Sequence, residues 1–252
     1  MRYLRILSFL GLLAGCGATV QNTASDPAEN RYEQSIRELD LGMFSEAIAG
    51  FSEVKTKYPY SPFAALADLR LGDAYFDQAK YIESIDAYRN FLRFHPNHKD
   101  SDFALLRIAE CYFEKMPSDW WLLPPSEEKD QDATKQALRA YREMLNAYPN
   151  SKYAEKAKEK VRVCRTKLAS HELYVAHFYF KKNAYRATKM RLDYLLTNFS
   201  GLGLDQEALW MLARIQNSEE NPQGLSRTLE KIIAIDPKSK FADKAKALQK
   251  SL

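Results

Sequence analysis

The sequence predicts an all-α fold built by repeating one helix pair. Four similar phrases interrupt its helical patterns: "KYPYSPFAALA" at 57–67, "RFHPNHKDSDFA" at 93–104, "NAYPNSKYAEKA" at 146–157 and "AIDPKSKFADKA" at 234–245. Because proline lacks an N–H and Ser or Asn caps a new helix, each phrase predicts a joint at which one helix ends and the next begins. No segment sustains the period-two alternation that is typical of a strand.

The joints recur at a fixed interval wherever nothing is inserted. Pro59 and Pro96 are 37 residues apart, and so are Ser200 and Pro237. Between joints, small and bulky residues follow a pattern that resembles the tetratricopeptide repeat, as in the second unit with Gly72, Tyr75, Ser84, Tyr88 and Phe91. We therefore expect a tetratricopeptide-repeat solenoid of five helix pairs and a C-terminal capping helix, Phe241–Gln249, in which stacking supplies the core.

The N-terminus has the layout of a secretory signal peptide. Two arginines precede a short apolar run, and Leu13-Ala14-Gly15-Cys16 resembles the lipobox of bacterial lipoproteins. That resemblance implies removal of residues 1–15, and diacylglycerol and an N-acyl chain on Cys16, a lipid anchor in the outer membrane on its periplasmic face. An ordinary signal peptide with an accidental cysteine is the alternative.

The remaining chain divides into two halves. Residues 16–28 comprise the acylated cysteine and a small, polar, flexible tether. Residues 29–150 hold repeats one to three, with an insertion at 116–131 that separates the two helices of the third pair. Residues 151–252 hold repeats four and five and the capping helix. An uninterrupted pattern from Lys152 to Lys182 predicts one long helix between the halves.

Composition excludes several classes of function. The apolar fraction is 46% and the formal net charge is +4, which falls to +2 without Arg2 and Arg5, so nucleic acid is not an expected partner. Four histidines lack metal-ligand spacing, and neither a phosphate loop nor a nucleophile elbow is present. We expect no enzyme activity, no metal and no cofactor beyond the lipid. Cys111 and Cys164 are expected to be buried thiols, with a disulfide as the alternative.

The first helices of the N-terminal pairs carry a stripe of mostly apolar residues. These recur at spacings of three and four, which keeps them on one helical face. The stripe either packs between units or lines a groove for an extended apolar peptide. Its candidate groove residues are Tyr32, Leu66, Leu69, Asp73, Phe76, Phe103, Leu106 and Phe113.

Two tryptophans lie in the insertion, outside any periodic element. Trp120 and Trp121 belong to "DWWLLPP". Aromatic side chains in such a loop either pack against their own domain or anchor a partner, since tryptophan is enriched in interface hot spots.

The lipobox, the joints "YPYSPFA", "HPNHKDSDFA" and "YPNSKYA", the insertion and "SHELYVAHFYFKKNAYRATKMRLDYLL" together resemble the BamD family. That family comprises lipoproteins of the outer-membrane β-barrel assembly machine. The resemblance covers residues 29 to about 245. The joint "NFSGLGLD" lacks the expected proline, and the insertion is richer in tryptophan than the family pattern.

The resemblance implies a scaffold whose N-terminal half receives unfolded outer-membrane proteins and whose C-terminal half docks on BamA, with other lipoproteins of the machine as further partners. It places Arg191, in "KMRLDYLL", at the BamA contact, with Arg186 and Lys189 on the same helix. Without the resemblance, these three residues indicate only a solvated face. The alternative function is that of another outer-membrane repeat lipoprotein, a pilus-assembly pilotin or a Tol-Pal coordinator.

Overall fold

A computed structural model describes residues 26–119, 122 and 124–251, and within these residues every regular element is a helix. They are α1 Pro27–Asp40, α2 Phe44–Lys57, α3 Pro62–Asp77, α4 Tyr81–Phe94, α5 Ser101–Glu114, α6 Asp132–Ala147, α7 Ala154–Lys181, α8 Tyr185–Asn198, α9 Asp205–Ser218, α10 Pro222–Ile235 and α11 Lys240–Gln249. The prediction of five helix pairs and a capping helix is confirmed.

The helices stack in chain order, each packing against the next. The core is accordingly a series of clusters along the stack and not one central mass. One cluster joins α1, α2 and α3, and the largest runs from α3 to α7. Two smaller clusters hold α7 to α9 and α9 to α11. No helix pair encloses its own apolar side chains, so each pair depends on its neighbours.

The close approach of paired helices depends on the small residues of the repeat. A Cβ on Gly72 would lie 2.5 Å from the ring of Tyr88, a fully buried side chain of the partner helix α4. Only glycine leaves room for that ring. The Ser84 hydroxyl on α4 donates to the Gly72 carbonyl at 2.8 Å and joins the two helices at the same level.

The predicted capping holds at two of the four joints. The side chains of Ser61 and Ser239 accept backbone N–H bonds at the starts of α3 and α11. At α7 the cap position is Tyr153. There the Ser151 hydroxyl accepts from the Tyr153 N–H at 3.1 Å, just before the helix, and donates to Asp102 of α5 at 2.6 Å, which ties the joint to the preceding pair.

The long helix α7 contributes side chains to two core clusters, one along each half of its length. Its first half packs into the large cluster through Cys164, Leu168 and Ala169, and its second half contributes Leu173 and Ala176 to the next. Cys164 and Cys111 are both buried and both free, so the disulfide alternative is not observed. Burial raises the pKa of each thiol to about 11, which keeps both protonated.

The predicted tether is shorter than expected at its C-terminal end. Asp26 caps α1 by accepting from the Ala28 N–H at 2.9 Å, and Ala28 is buried. The signal peptide, Cys16, Trp120 and Trp121 lie outside the described residues. None of the helices described is both long and apolar enough to cross a membrane.

Candidate functional site

A network of buried charges lies among the first helices of the N-terminal half. The Tyr88 hydroxyl donates to Asp73 Oδ1 at 2.5 Å, and Arg70 donates to Asp73 Oδ2 at 2.6 Å. Arg107 Nε donates to the Tyr88 hydroxyl at 3.1 Å, and its Nη1 donates to Glu110 at 3.0 Å. Burial, and then the Asp73 carboxylate, raises the pKa of Tyr88, so its hydroxyl stays protonated as a donor.

Arg107 occupies the centre of this network. Its guanidinium lies 3.7 Å from the centre of the Phe76 ring, at a cation–π distance, and 3.4 Å from Asp73 Oδ1. Lys156 of α7 extends the network by binding Glu110 at 2.6 Å. Since four helices contribute, the network fixes neighbouring pairs relative to one another.

A cavity of about 560 Å³ opens beside this network, and we call it the N-terminal cavity. Three carboxylates and two guanidinium groups line it, together with two aromatic rings. Its lining residues are Leu39, Asp40, Gly42, Phe44, Arg70, Asp73, Asp77, Phe103 and Arg107. Partial burial raises the pKa of Asp77 above its ordinary value. The walls are mostly the first helices α1, α3 and α5.

The predicted groove residues divide between this cavity and the packing of the units. Asp73 and Phe103 line the cavity. Leu69 and Leu106 are each 2% exposed and belong to the core, so they offer no free surface to a peptide. For these two residues the structure favours the packing interpretation, because both side chains are enclosed by the neighbouring pair.

Of the other four groove candidates, three are aromatic residues in contact with a neighbouring ring or cation, and the fourth is a partly exposed leucine. Tyr32 packs between Phe51 and Phe63, with ring centres 5.8 and 5.5 Å away. Phe76 lies under Arg107, and Lys160 lies 3.8 Å from the ring centre of Phe113. Leu66 is partly exposed.

Arg70, Arg107 and Phe44 are cavity residues that the sequence analysis missed. The repeat interval contained a signal for the two arginines, since they are 37 residues apart and occupy equivalent positions in successive units. Phe44 carried no such signal, because it follows the turn inside the first pair.

The basic residues predicted on α8 have different surroundings. Arg191 Nη1 donates to Glu172 of α7 at 3.1 Å, while its side chain remains 43% exposed. Lys189 binds Glu219 at 2.9 Å. Arg186 is exposed. Within the part of the chain described, no group of three or more His, Cys, Asp or Glu residues could hold a metal ion.

Most of the chain matches a known protein family. The sequence model of the YfiO family, described as an outer membrane lipoprotein, matches residues 24–231. The chain belongs to this family. The family-level resemblance expected from the joints is thereby confirmed.

Relatives in this group carry the name outer membrane protein assembly factor BamD. The protein from Caulobacter vibrioides is 28% identical over 79% of this chain, and the match spans 64% of that relative, just under two thirds of its length. The protein from Neisseria gonorrhoeae is 25% identical, over 96% of this chain and 94% of the relative.

Solved structures provide looser matches. A tetratricopeptide repeat protein from Parabacteroides merdae is 14% identical, with a TM-score of 0.39, over 86% of this chain and 96% of that one. A superposition this loose carries no weight, and the fold assignment rests on the helix pairs themselves.

Proposed function

We propose that the chain is a scaffold in the assembly of outer-membrane β-barrel proteins, which receives unfolded substrates on its N-terminal half and docks on BamA through its C-terminal half. Membership of the YfiO family and the name of its relatives support the assembly role. A lipid anchor on Cys16 completes the proposal. Cys16→Ala should abolish incorporation of labelled palmitate, and continued incorporation would contradict the anchor.

The N-terminal cavity is the observation that carries substrate binding. It combines the aromatic side chains of Phe44 and Phe103 with the partly exposed side chain of Arg70. An extended chain that ends in an aromatic residue offers an apolar side chain and a carboxylate to these groups. Because the network around Arg107 already holds the walls in place, little conformational entropy is lost on binding.

Phe44 allows this binding to be tested without disturbing the core. It lines the cavity but belongs to none of the buried clusters described. We expect Phe44→Ala to weaken binding of a short peptide with a C-terminal phenylalanine about fivefold or more, measured by fluorescence anisotropy, with little change in the thermal midpoint.

The matched control is Phe94→Ala. Phe94 is 60% exposed at the end of α4 and lies outside the cavity. Its replacement should leave peptide affinity unchanged. Equal affinity in both variants and the unmodified protein would remove the cavity from the substrate site.

Arg191 remains the residue proposed for docking. Only one of its nitrogens donates to Glu172, and a guanidinium has five N–H donors, so others are available to a partner carboxylate. We expect Arg191→Gln to weaken pull-down of the purified periplasmic domains of BamA about tenfold.

Glu172→Gln separates direct contact from internal support. This variant removes the internal pair but leaves the Arg191 charge in place. If Arg191 contacts BamA, docking of Glu172→Gln should remain near that of the unmodified protein. Loss of docking in Glu172→Gln equal to that in Arg191→Gln would show that Arg191 acts only through the fold of α7 and α8.

A further inference from the structure

A second cavity lies on the first helices of the C-terminal half, and we call it the C-terminal cavity. Its volume is about 300 Å³, at the lower end of the range for ligand pockets. Helices α7, α9 and α11 supply its walls. The lining residues are His177, Phe180, Glu207, Trp210, Met211, Arg214, Lys240, Phe241 and Lys244.

Most of the cations in this cavity have no ion-pair partner in the part of the chain that the structure describes. The cavity's single carboxylate, Glu207, is already bound by His177 at 3.1 Å. The cationic side chains Arg214, Lys240 and Lys244 have no carboxylate within ion-pair distance among the described residues. A cavity in which three cations have no carboxylate partner among the residues described has a positive potential, which favours a ligand with carboxylates.

The cations instead lie over aromatic rings. Arg214 is 4.7 Å from the centre of the Phe180 ring, and Lys244 is 5.6 Å from that of Phe241 and 5.9 Å from Trp210. These contacts hold the charged ends beside the aromatic rings that line the cavity. A cation–π contact at an exposed site is weak, so an incoming carboxylate can compete for the cation.

The rings themselves form a half-buried recess. Trp210 and Phe241 pack on the last core cluster, and Phe180 packs on the one before it. Each of these three side chains is partly exposed and lines the cavity. A flat bilayer surface does not reach into such a recess, whereas one side chain of an extended peptide does.

The start of α11 adds to the positive potential. Ser239 caps this helix of ten residues by accepting from the Ala242 N–H at 3.1 Å, and Lys240 is its first residue. The partial positive charge of a helix N-terminus therefore lies on the same side as Lys240 and Lys244.

We propose that the C-terminal cavity is a second peptide-binding site, which takes an extended acidic segment of another polypeptide and seats one of its aromatic side chains between Phe180, Trp210 and Phe241. In an extended chain successive side chains point to opposite sides, so residues two apart share a face. An aromatic residue with an acidic residue two positions away therefore presents a ring to the recess and a carboxylate to the cations beside it. This site is separate from the proposed substrate site, and either can exist without the other.

The direct test uses a labelled synthetic peptide in which glutamate and phenylalanine recur two residues apart, with serine between them, titrated into the full mature chain. We expect saturable binding that weakens as salt is raised, because exposed charges are screened. The variant Arg214→Gln with Lys244→Gln should bind about tenfold or more weakly. Both side chains are exposed, so its thermal midpoint should match that of the unmodified protein.

The matched control carries Arg227→Gln with Lys231→Gln on α10. Both residues are exposed, lie outside the cavity and change the net charge by the same amount. This control should retain full affinity, and so should Phe44→Ala, which alters only the N-terminal cavity. Equal weakening in the α10 control would mean that net charge alone attracts the peptide, and the proposal would fail.

Two altered peptides test whether the ligand needs its carboxylates and its aromatic ring, and phospholipid vesicles test whether it is a peptide at all. A peptide with glutamine in place of glutamate, and one with alanine in place of phenylalanine, should each bind much more weakly. If the glutamine peptide binds as well as the acidic one, the cations have no role. If vesicles of anionic phospholipid bind in a manner that depends on Arg214 and Lys244 while the peptide does not bind, the site is a lipid contact and the proposal is overturned.

Discussion

The two halves of the molecule use one position of the repeat in opposite ways. In the N-terminal half this position on the first helix is acidic, as Asp73 and Glu110, which are 37 residues apart. In the C-terminal half the same position is held by His177 and Arg214, again 37 residues apart. The acidic pair is bound by Arg70, Arg107 and Lys156, whereas Arg214 has no carboxylate partner among the described residues.

A neighbouring position shows the same division. Leu69 is enclosed in the large core cluster, while the corresponding Trp210 is only partly buried and lines the C-terminal cavity. The difference shows that stacking fixes the backbone of a unit but leaves its exposed first-helix positions free to vary. The N-terminal half uses them for ion pairs that join neighbouring helix pairs, whereas in the C-terminal half Trp210 and Arg214 line a cavity.

The largest effect is expected at Leu69. Leu69→Asp places a carboxylate in an enclosed apolar site, which should lower the free energy of unfolding by about 4 kcal/mol in urea denaturation monitored by circular dichroism. Loss of peptide binding in this variant would then reflect unfolding.

The control is Tyr60→Asp, because Tyr60 is 100% exposed at the preceding joint. That change should cost less than about 0.5 kcal/mol. Should Leu69→Asp prove as stable as Tyr60→Asp, Leu69 would be a groove residue after all, and the contrast with Trp210 would disappear.

A smaller difference in the free energy of unfolding is expected between two tyrosine-to-phenylalanine variants, at Tyr88 and at Tyr141. The Tyr88 hydroxyl joins Asp73 and Arg107, whereas the Tyr141 hydroxyl is buried without a hydrogen-bond partner among the described residues. Tyr88→Phe should cost about 1–2 kcal/mol, since it leaves a buried carboxylate short of a donor. Tyr141→Phe should be neutral or slightly stabilising, because it removes a buried polar atom.

Chemical denaturation of the two variants side by side makes this comparison. Each loses one hydroxyl at the same repeat position, so differences in ring packing cancel. Equal losses would show that the network contributes nothing beyond burial and would weaken the contrast between the halves.

The sequence by itself determined the helix pairs and their joints. Each of the four joint prolines, from Pro59 to Pro237, interrupts a helix because it lacks an N–H. The 37-residue interval between Pro59 and Pro96 is read directly from their positions. The long helix was expected at Lys152–Lys182 and spans Ala154–Lys181, because nothing in that stretch interrupts its backbone hydrogen bonds. Prolines and uninterrupted helical patterns act on the backbone close to them in sequence, so they can be interpreted without knowing which helices pack nearby.

Only the tertiary structure decided which first-helix residues face a cavity. Leu69 and Phe103 look alike in a helical stripe, yet one is enclosed and the other lines the N-terminal cavity. The exposure of each residue depends on how much of it the adjacent helix pair covers. The position of that pair is set by contacts between residues distant in sequence. The same cause concealed the binding of Arg191 to Glu172 and the convergence of Trp210, Phe241 and Arg214, since each joins side chains from different helices.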